Sequence, residues 1–455
     1  MNILSKRSYK WIFYPVAAFG FLVLIYAIGR FIHIALGSYY QGERTPYLQL
    51  LTPTGVTVRW QTTSAGKGII KYGLSADALT ESKEEDARGE SHEIRLAGLL
   101  PATRYYYAVG LKDKTPVADP EYWFTTAPDP DTESQIRFWV IGDAGRAVPK
   151  QAAVRDAMLN WVKQHPRSGR AYLDFMLTTG DNAYESGKNE DFQHGFFTPY
   201  QSILKNIPVW PGYGNHDARR WAYFDLFTLP EKAEAGGIPS GTENYYSFEY
   251  SNAHFIMLDS QVSSRSVQGE MATWLRQDLA SNQKNWLIAV LHHPPYTRGS
   301  HNSDDKSDSR GRLFDVRENI LPILEKGGVD LVLTGHSHVY ERSYLMGCHY
   351  GTSNELKDSM LYDTSVQGPY LKHHAKSKPY QGTVYAVVGS SARADFGPID
   401  HPVMAVAKRE TGSMVVDIDG LSLQAYFIND EAKVIDNFRI EKGVASVPPR
   451  TDGCP

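Results

Sequence analysis

Five short motifs along the chain contain side chains that could bind metal ions. The motifs are residues 142–145 with Asp143, 180–184 with Asp181 and Tyr184, 214–217 with Asn215, 292–296 with His292 and His293, and 335–338 with His336 and His338. Their carboxylate, amide, phenolic and imidazole groups are ligands that hard and borderline metals accept. Each motif alone is typical of a turn or a surface loop, but five in series indicate a metal site.

Short apolar runs precede four of the motifs, at residues 136–141, 172–177, 286–291 and 329–333. Because these runs are rich in β-branched and aromatic residues, they predict buried strands. Helical patterns lie between them, at residues 151–162, 271–282 and 316–326. This alternation predicts a layered α/β domain whose motif residues lie just past the carboxyl ends of strands, where such sheets bind ligands.

A pair of metal ions is the arrangement that this mixture of ligands favours. Two ions roughly 3.5–4 Å apart can polarise a phosphoryl group and clamp an in-line displacement. A carboxylate has to bridge such a pair, and Asp181 is the natural candidate. The motifs therefore predict a two-metal phosphoesterase site, although spacing along the chain does not divide the other ligands between the two ions.

The motif set resembles that of the purple acid phosphatases, a branch of the calcineurin-like metallophosphoesterases. The superfamily pattern starts with Asp-x-His and continues with Gly-Asp-x-x-Asp, whereas this chain has Gly145 in place of the histidine and Tyr184 in place of the second aspartate. That double exchange is typical of the purple branch, in which tyrosinate binds a ferric ion. The resemblance extends over residues 44–441 and includes the flanking segments 246–250, 254–259 and 382–385.

The resemblance implies a ligand set and a metal content. One ion would be bound by Asp143, Asp181, Tyr184 and His338, and the other by Asp181, Asn215, His292 and His336. The first ion would be Fe(III) and the second a divalent ion, which could be Fe, Zn or Mn. The family pattern of His, any residue, then Pro favours His292 over its neighbour His293 as the ligand.

The resemblance also implies residues that act on the substrate. His216 takes the place of a family histidine that contacts the phosphate or the leaving group, and Asp217 would orient its ring. His301, nine residues after His292, has the spacing of a further active-site histidine of plant members. The alternative for His301 is a solvated histidine in the polar loop of residues 300–311.

The implied function is that of an acid phosphatase, which hydrolyses small phosphate monoesters by attack of a metal-bound hydroxide on phosphorus. A phosphodiesterase or nucleotide pyrophosphatase that uses the same site is the alternative enzyme. A hypothesis of another class is an anchored binding protein with an inert metal site, and the complete ligand set argues against it. The net charge of −4 shows no basic excess that would suggest nucleic acid as a partner.

The remaining segments predict several domains. Residues 44–128 alternate like a β-sandwich and resemble a fibronectin type III domain, most clearly at residues 99–107. Residues 135–441 would form the metallophosphoesterase domain, a four-layer sandwich of helix, sheet, sheet and helix (αββα). In this sandwich the apolar runs 383–388, 413–418 and 422–427 would complete the second sheet. Residues 442–455 would form a C-terminal tail.

Residues 1–40 predict a membrane anchor or a signal peptide. Three cations, at residues 6, 7 and 10, precede an uncharged run at residues 11–29. As a helix this run would span about 28 Å, close to the roughly 30 Å thickness of the hydrocarbon core. The cations favour a cytoplasmic amino end, which would place the larger domain in the periplasm or at the cell surface. Cleavage before Ser38 is the alternative and would release a periplasmic or secreted protein.

The chain has two cysteines, Cys348 and Cys454. In an exported protein they could form a disulfide that attaches the Pro- and Gly-rich tail to the loop after the last motif. Two free thiols are the alternative, and the sequence leaves both open.

Overall fold

The computed structural model describes residues 19–29, 31–32, 39–114, 116, 119–130, 132–448 and 453–454. Of the predicted anchor, residues 11–18 lie outside the described residues, and so do residues 33–38 with the predicted cleavage position. Residues 19–29 are helical. Within the described ranges, no helix is both long enough and apolar enough to cross a membrane.

The first domain consists of two small antiparallel sheets around one apolar core. Its strands are β1 Arg44–Thr52, β2 Gly55–Gly66, β3 Gly68–Gly73, β4 Glu81–Glu84, β5 Gly89–Ala97, β6 Arg104–Leu111 and β7 Trp123–Thr125. The sheets have the orders β1-β2-β5 and β4-β3-β6-β7. Alternate residues of β5, namely His92, Ile94 and Leu96, are buried, as expected for a strand with one face in a core.

Buried polar contacts attach this β domain to the larger domain. The Arg44 guanidinium donates to Asn189 Oδ1 at 2.5 Å and to Gln193 Oε1 at 2.7 Å. The Tyr47 hydroxyl donates to the Leu226 carbonyl oxygen at 2.6 Å. Because a buried donor without a partner costs free energy, these bonds hold the two domains in one arrangement.

Two seven-stranded mixed sheets form the centre of the larger domain. The first sheet contains β8 Ile136–Ile141, β9 Phe175–Thr178, β10 Val209–Trp210, β18 Tyr370–Leu371, β21 Gly412–Asp419, β22 Ser422–Asn429 and β23 Val434–Glu441. The second contains β11 Tyr246–Tyr250, β12 Ala253–Leu258, β13 Trp286–Leu291, β14 Leu331–Thr334, β15 Tyr340–Ser343, β19 Val384–Val388 and β20 Met404–Lys408. Their orders are β10-β9-β8-β21-β22-β23-β18 and β11-β12-β13-β14-β19-β15-β20. A separate pair is formed by β16 Leu345–Met346 and β17 Leu361–Asp363.

Helices lie against the two sheets. They are α1 Pro149–Gln164, α2 Asn189–Phe192, α3 Thr198–Leu204, α4 Ala222–Leu226, α5 Glu270–Ser281, α6 Arg312–Asp315 and α7 Leu321–Gly327. Gln193–Phe197 and Val316–Ile320 are π-helical, and 3₁₀ turns occupy Asp217–Arg219, Asp308–Gly311, Ser353–Glu355 and Asp358–Met360. α1 contacts β21 and β22, whereas α5 packs against α7 and shares an apolar core with the second sheet. The protein therefore has a mixed α/β fold preceded by a β domain.

Aromatic side chains fill the space between the two sheets. Phe138 and Phe175 of the first sheet meet Phe255 of the second, with ring centroids 5.4 and 5.2 Å apart. Both contacts are edge-to-face, an arrangement that aromatic pairs favour. The sheets thus pack through a continuous apolar layer.

One predicted feature of the sheets is wrong. The three runs predicted to complete one sheet do not share a sheet: the run at 383–388 forms β19 of the second sheet, whereas the runs at 413–418 and 422–427 form β21 and β22 of the first, where β21 pairs antiparallel with β8. Met414 lies opposite Val140, and Ile418 lies opposite Ile136. The apolar pattern of a strand identifies a buried strand but carries no information on its partner, so the sequence could not choose between the sheets.

A disulfide joins Cys348 to Cys454, with the two Cα atoms 5.4 Å apart. Of the two alternatives that the sequence left open, the structure contains the disulfide. The Cys348 backbone N–H donates to Glu325 Oε2 at 2.8 Å, so the attached tail is anchored to the end of α7.

His254 forms a buried charged pair at the back of the second sheet. Its Nε2 lies 2.7 Å from Asp278 Oδ2, and its Nδ1 lies 3.7 Å from Glu249 Oε1. Burial by itself lowers the pKa of His254, but the carboxylates of Asp278 and Glu249 outweigh it and raise the pKa to about 9. The imidazolium form is therefore part of the folded structure at neutral pH.

This pair predicts a pH-dependent stability. A histidine whose pKa is higher in the folded than in the unfolded protein stabilises the fold, and this stabilisation is complete at a pH below the unfolded pKa. For His254 the stabilisation is lost as the pH rises through its folded pKa of about 9. We expect His254 to contribute about 3 kcal/mol to the free energy of unfolding below about pH 6.5. As the pH rises from 6.5 to 9, the thermal unfolding temperature of the parent protein should decrease. The decrease should be smaller in His254→Gln. His194→Gln, at an exposed position, is the control, and an identical pH dependence in all three proteins would contradict the assignment.

Candidate metal centre

The predicted ligand residues follow strands that end at one edge of the two sheets. Asp143 follows β8 and Asp181 follows β9 in the first sheet, whereas His292 follows β13 and His336 follows β14 in the second. Because β8 is parallel to β9 and β13 to β14, the carboxyl ends of each pair lie side by side. The His336 backbone N–H donates to Asp143 Oδ2 at 2.8 Å and so connects the two sheets at this edge.

Three of these residues have left-handed backbone conformations, which L-amino acids rarely adopt. The angle φ is 54° at Asp143, 55° at Asp181 and 67° at His336. Gly214 permits a further close approach, because a Cβ there would lie 2.2 Å from the Asp181 nitrogen. Such strain clusters at sites where the surrounding contacts fix the direction of functional side chains.

The first group of polar atoms surrounds the Tyr184 hydroxyl. It lies 2.9 Å from Asp181 Oδ2, 3.1 Å from Asp143 Oδ1 and 3.3 Å from His338 Nε2. Burial and the two carboxylates raise the pKa of Tyr184 well above its ordinary value. A cation placed among these four groups would oppose that effect and favour the tyrosinate.

The second group surrounds His292. Its Nε2 lies 3.0 Å from Asn215 Oδ1, 3.2 Å from His336 Nδ1 and 3.6 Å from Asp181 Oδ1. Asp181 thus presents one carboxylate oxygen to each group. This is the position that a bridging carboxylate requires.

The histidine tautomers agree with metal binding. His292 Nδ1 lies 2.9 Å from the Thr179 carbonyl oxygen, which can only accept, so this nitrogen carries the proton. His338 Nδ1 likewise lies 2.7 Å from Asp395 Oδ2. In both rings the Nε2 lone pair therefore faces the cluster, as in histidines whose other nitrogen is held by an outer partner.

The buried negative charges of the cluster also favour the binding of cations. Asp143 and Asp181 are 1% and 2% exposed. Within the described part of the chain, their ion pairs are with histidines, and neither pairs with a lysine or an arginine. Buried carboxylates need positive charge nearby, and one or two metal ions would supply it. Asp143, Asp181 and His292 each offer a ligand atom within 4.8 Å of the others, so the donor set fits.

His216 borders the cluster, but its predicted partner is wrong. Its Nδ1 donates to the Glu185 carbonyl oxygen at 2.7 Å, and its Nε2 lies 4.0 Å from Asp181 Oδ2. Asp217 does not orient this ring, because its carboxylate accepts from the backbone N–H groups of Asn182 and Gly214, each at 2.9 Å. Asp217 instead connects two of the motif loops.

His301 and His293 both lie beside the second group. The His301 ring stacks on that of His336 at 4.0 Å, and its Nδ1 lies 2.8 Å from Asp308 Oδ1. His293 Nδ1 lies 2.9 Å from Ser260 Oγ, and its ring centroid is 4.5 Å from that of His336. His293 is therefore near the site, but it is His292 whose Nε2 faces Asp181 and Asn215.

Two contacts at the site were missed in the sequence. Asp395, which holds His338, lies in a loop without a recognisable motif, and only its acidic type could have suggested it. The carbonyl of Glu185, which holds His216, is a backbone group that any residue would supply. Sequence patterns describe side-chain types, so they cannot predict a contact made by a backbone carbonyl.

Two protein families match this chain, one in each of its two domains. Residues 136–340 match the family described as Calcineurin-like phosphoesterase, and residues 44–126 match the family described as Purple acid Phosphatase, N-terminal domain. Probable purple acid phosphatase 20 of Arabidopsis thaliana is 24% identical over 318 residues, which cover 65% of this chain and 68% of that protein. Acid phosphatase type 7 of Mus musculus is 22% identical over 415 residues, which cover 85% of this chain and 87% of that protein.

A solved structure shows the same fold. The purple acid phosphatase from yellow lupin (Lupinus luteus) seeds superimposes with a TM-score of 0.70 at 18% identity, over 91% of this chain and 77% of that one. At this identity the likeness concerns the fold alone. The larger domain therefore matches the calcineurin-like phosphoesterases, the first domain matches the N-terminal domain of purple acid phosphatases, and the similar proteins named here are purple acid and acid phosphatases.

Proposed function

We propose that this protein is a two-metal phosphatase that hydrolyses phosphate monoesters. The observation that carries the proposal is the position of Asp181, whose carboxylate reaches both the Tyr184 group and the His292 group. One metal would be held by Asp143, Asp181, Tyr184 and His338, and the other by Asp181, Asn215, His292 and His336. Tyr184 favours Fe(III) in the first position, while amide and imidazole ligands in the second suit Fe, Zn or Mn.

The bound metals would supply the Lewis-acid chemistry that polarises a phosphoryl group and lowers the pKa of water. The protein's own groups position the substrate. A cavity of about 530 Å³, bordered by Asn215, His293 and His336, gives access to the second group. The hydrogen bond to the Glu185 carbonyl fixes the His216 ring, so its Nε2 is available to contact a phosphoryl or leaving-group oxygen. His301, stacked on His336, is proposed as a second such contact.

A substrate panel tests the proposal against the alternative enzyme. The purified protein should contain about two metal ions per chain, one of them iron. It should hydrolyse 4-nitrophenyl phosphate with a higher kcat/KM than bis(4-nitrophenyl) phosphate. A clear preference for the diester would favour a phosphodiesterase, and metal binding without hydrolysis of either ester would favour a binding protein.

Replacing His216 with alanine should reduce turnover without removing metal. Its side chain is proposed to act on the substrate, so kcat should fall by roughly 10²-fold or more. The metal content should remain that of the parent protein, because no proposed ligand is changed. Elemental analysis and initial rates check both statements, and His194→Ala provides an exposed-histidine control. Metal loss in His216→Ala would contradict the role.

Replacing Asp395 with alanine should weaken metal binding on the tyrosine side. The carboxylate holds the tautomer and orientation of His338, and losing such an outer partner typically costs about 10–100-fold in metal affinity or activity. Chelator competition would measure the affinity. Asp395→Asn, which keeps an acceptor oxygen, should recover part of it, and Asp156→Ala on the outer helix α1 should have no effect.

The finer organisation of the chain also remains a proposal. The packing of the two sheets through aromatic side chains supports the predicted αββα arrangement of residues 135–441. The seven strands of residues 44–125 support a separate domain within 44–128. The anchor or signal role of residues 1–40, and with it an extracytoplasmic location, rests on the sequence pattern of the amino terminus. The small phosphorylated substrate and the Fe(III)–divalent pair rest on the similarity to purple acid phosphatases.

A further inference from the structure

The cavity beside the second group of polar atoms, around His292, is lined by several positively charged side chains. Four arginines line it, Arg219, Arg220, Arg310 and Arg312. Among the described residues, none of those lining the cavity is an aspartate or a glutamate. A pocket with several guanidinium groups and no carboxylate is suited to an anion.

The arginines come from two separate segments of the chain that both line the cavity. Arg219 follows the third motif, with Nη1 donating to the Glu185 carbonyl at 2.7 Å and Nη2 3.4 Å from His216 Nε2. Arg312 belongs to the segment after His301, and its Nη1 donates to the Ser309 carbonyl at 2.8 Å. The Ser309 hydroxyl in turn lies 2.6 Å from His336 Nε2. Both segments therefore connect the cavity directly to the proposed active site.

Three of these arginines, Arg219, Arg310 and Arg312, form no ion pair with a carboxylate among the described residues. Arg219 and Arg312 donate to backbone carbonyls, and Arg312 makes a further such bond to Gln261 at 3.1 Å. Burial, followed by the nearby Arg265 and Arg310, lowers the pKa of Arg312, as expected where like charges are close. The cavity thus carries excess positive charge.

A single phosphate does not account for this arrangement. The phosphoryl group undergoing hydrolysis would already be met by two metals and His216, at the end of the cavity formed by Asn215 and His336. Arg219 lies beside His216, whereas Arg310 and Arg312 line the same cavity from the segment after His301 and are available to the other half of the substrate. Arginine binds phosphate through paired N–H donors, which gives both affinity and orientation.

We propose that the arginine-lined cavity is a second anion subsite, and that the preferred substrates are phosphate monoesters whose alcohol half carries a further phosphate group. The inference rests on the proposed phosphatase function, which it makes more specific. It distinguishes this protein from a phosphatase that accepts any small monoester equally.

Fructose 1,6-bisphosphate and fructose 6-phosphate are a suitable pair of test substrates. The ratio of their kcat/KM values should be at least about tenfold in favour of the bisphosphate, since a charge-assisted bond is gained. Arg310→Gln and the double variant Arg310→Gln/Arg312→Gln should lower this ratio progressively. Arg439→Gln, on the exposed side of β23, should keep it. A ratio near one in the parent protein, or an unchanged ratio in the double variant, would overturn the inference.

Binding of phosphonates separates this inference from the function on which it rests. Calorimetry on the metal-loaded protein would compare methylenediphosphonate with methylphosphonate, neither of which needs to be hydrolysed. Tighter binding of the diphosphonate by about tenfold, lost in the double variant, would support the subsite even if no ester were hydrolysed. Equal binding of the two would overturn it even if the protein proved to be an active phosphatase.

Discussion

Asp181→Ala should abolish phosphatase activity and remove most of the bound metal. One carboxylate oxygen lies 2.9 Å from the Tyr184 hydroxyl, and the other lies 3.6 Å from His292 Nε2, so the side chain serves both proposed ions. The Asp181 carboxylate also accepts the His216 backbone N–H at 2.7 Å, which connects it to the substrate-binding loop. We expect kcat to fall by on the order of 10³-fold or more.

Elemental analysis and initial rates should be measured on the same preparations of this variant. Asp156→Ala changes an exposed carboxylate on α1 and should retain both metals and activity. The comparison with His216→Ala is the more informative one, because that variant is expected to lose rate but keep metal. Equal metal loss in Asp181→Ala and His216→Ala would contradict the proposed division between ligand and substrate contact.

Tyr184→Phe should eliminate the visible absorption of the oxidised, iron-loaded protein. The change removes only the hydroxyl, whereas the ring keeps its contacts with His216 at 4.2 Å and with the Arg146 guanidinium at 3.6 Å. Because the fold should tolerate the variant, loss of the band would report on the oxygen–iron bond itself. Tyr106→Phe, in the β domain, should leave the spectrum intact. A Tyr184→Phe protein with unchanged colour would show that tyrosine is not an iron ligand.

The sequence predicted the strands that carry the site because those strands are buried on both faces. The apolar runs at 136–141 and 286–291 coincide with β8 and β13 residue for residue. Strands buried on both faces are continuous apolar runs, so the first and last apolar residues mark the ends of the strand. Since parallel strands of one sheet end at a common edge, Asp143 had to lie near Asp181, and His292 near His336. How the two sheets pack against each other decides that these two pairs meet, and the strand pattern does not predict it.

Other features depend on contacts that no local pattern encodes. Asp217 was predicted to orient His216 because the two are adjacent, yet the backbone turns its carboxylate toward Gly214 and Asn182. Asp395 reaches His338 across 57 positions of the chain. Adjacent side chains on a turn often point apart, and distant ones often meet, so such roles require coordinates.

The pairing of β8 with β21 has a consequence for how this protein is synthesised. A nascent chain that has reached residue 340 already contains every proposed metal ligand, yet β8, the strand that precedes Asp143, still lacks one neighbour. That neighbour arrives only with residues 412–419, since Val140 pairs with Met414. Pairing over such a sequence distance is slow, and an exposed strand edge promotes aggregation meanwhile. A fragment trimmed to residues 136–340 would therefore be an incomplete folding unit rather than a minimal enzyme.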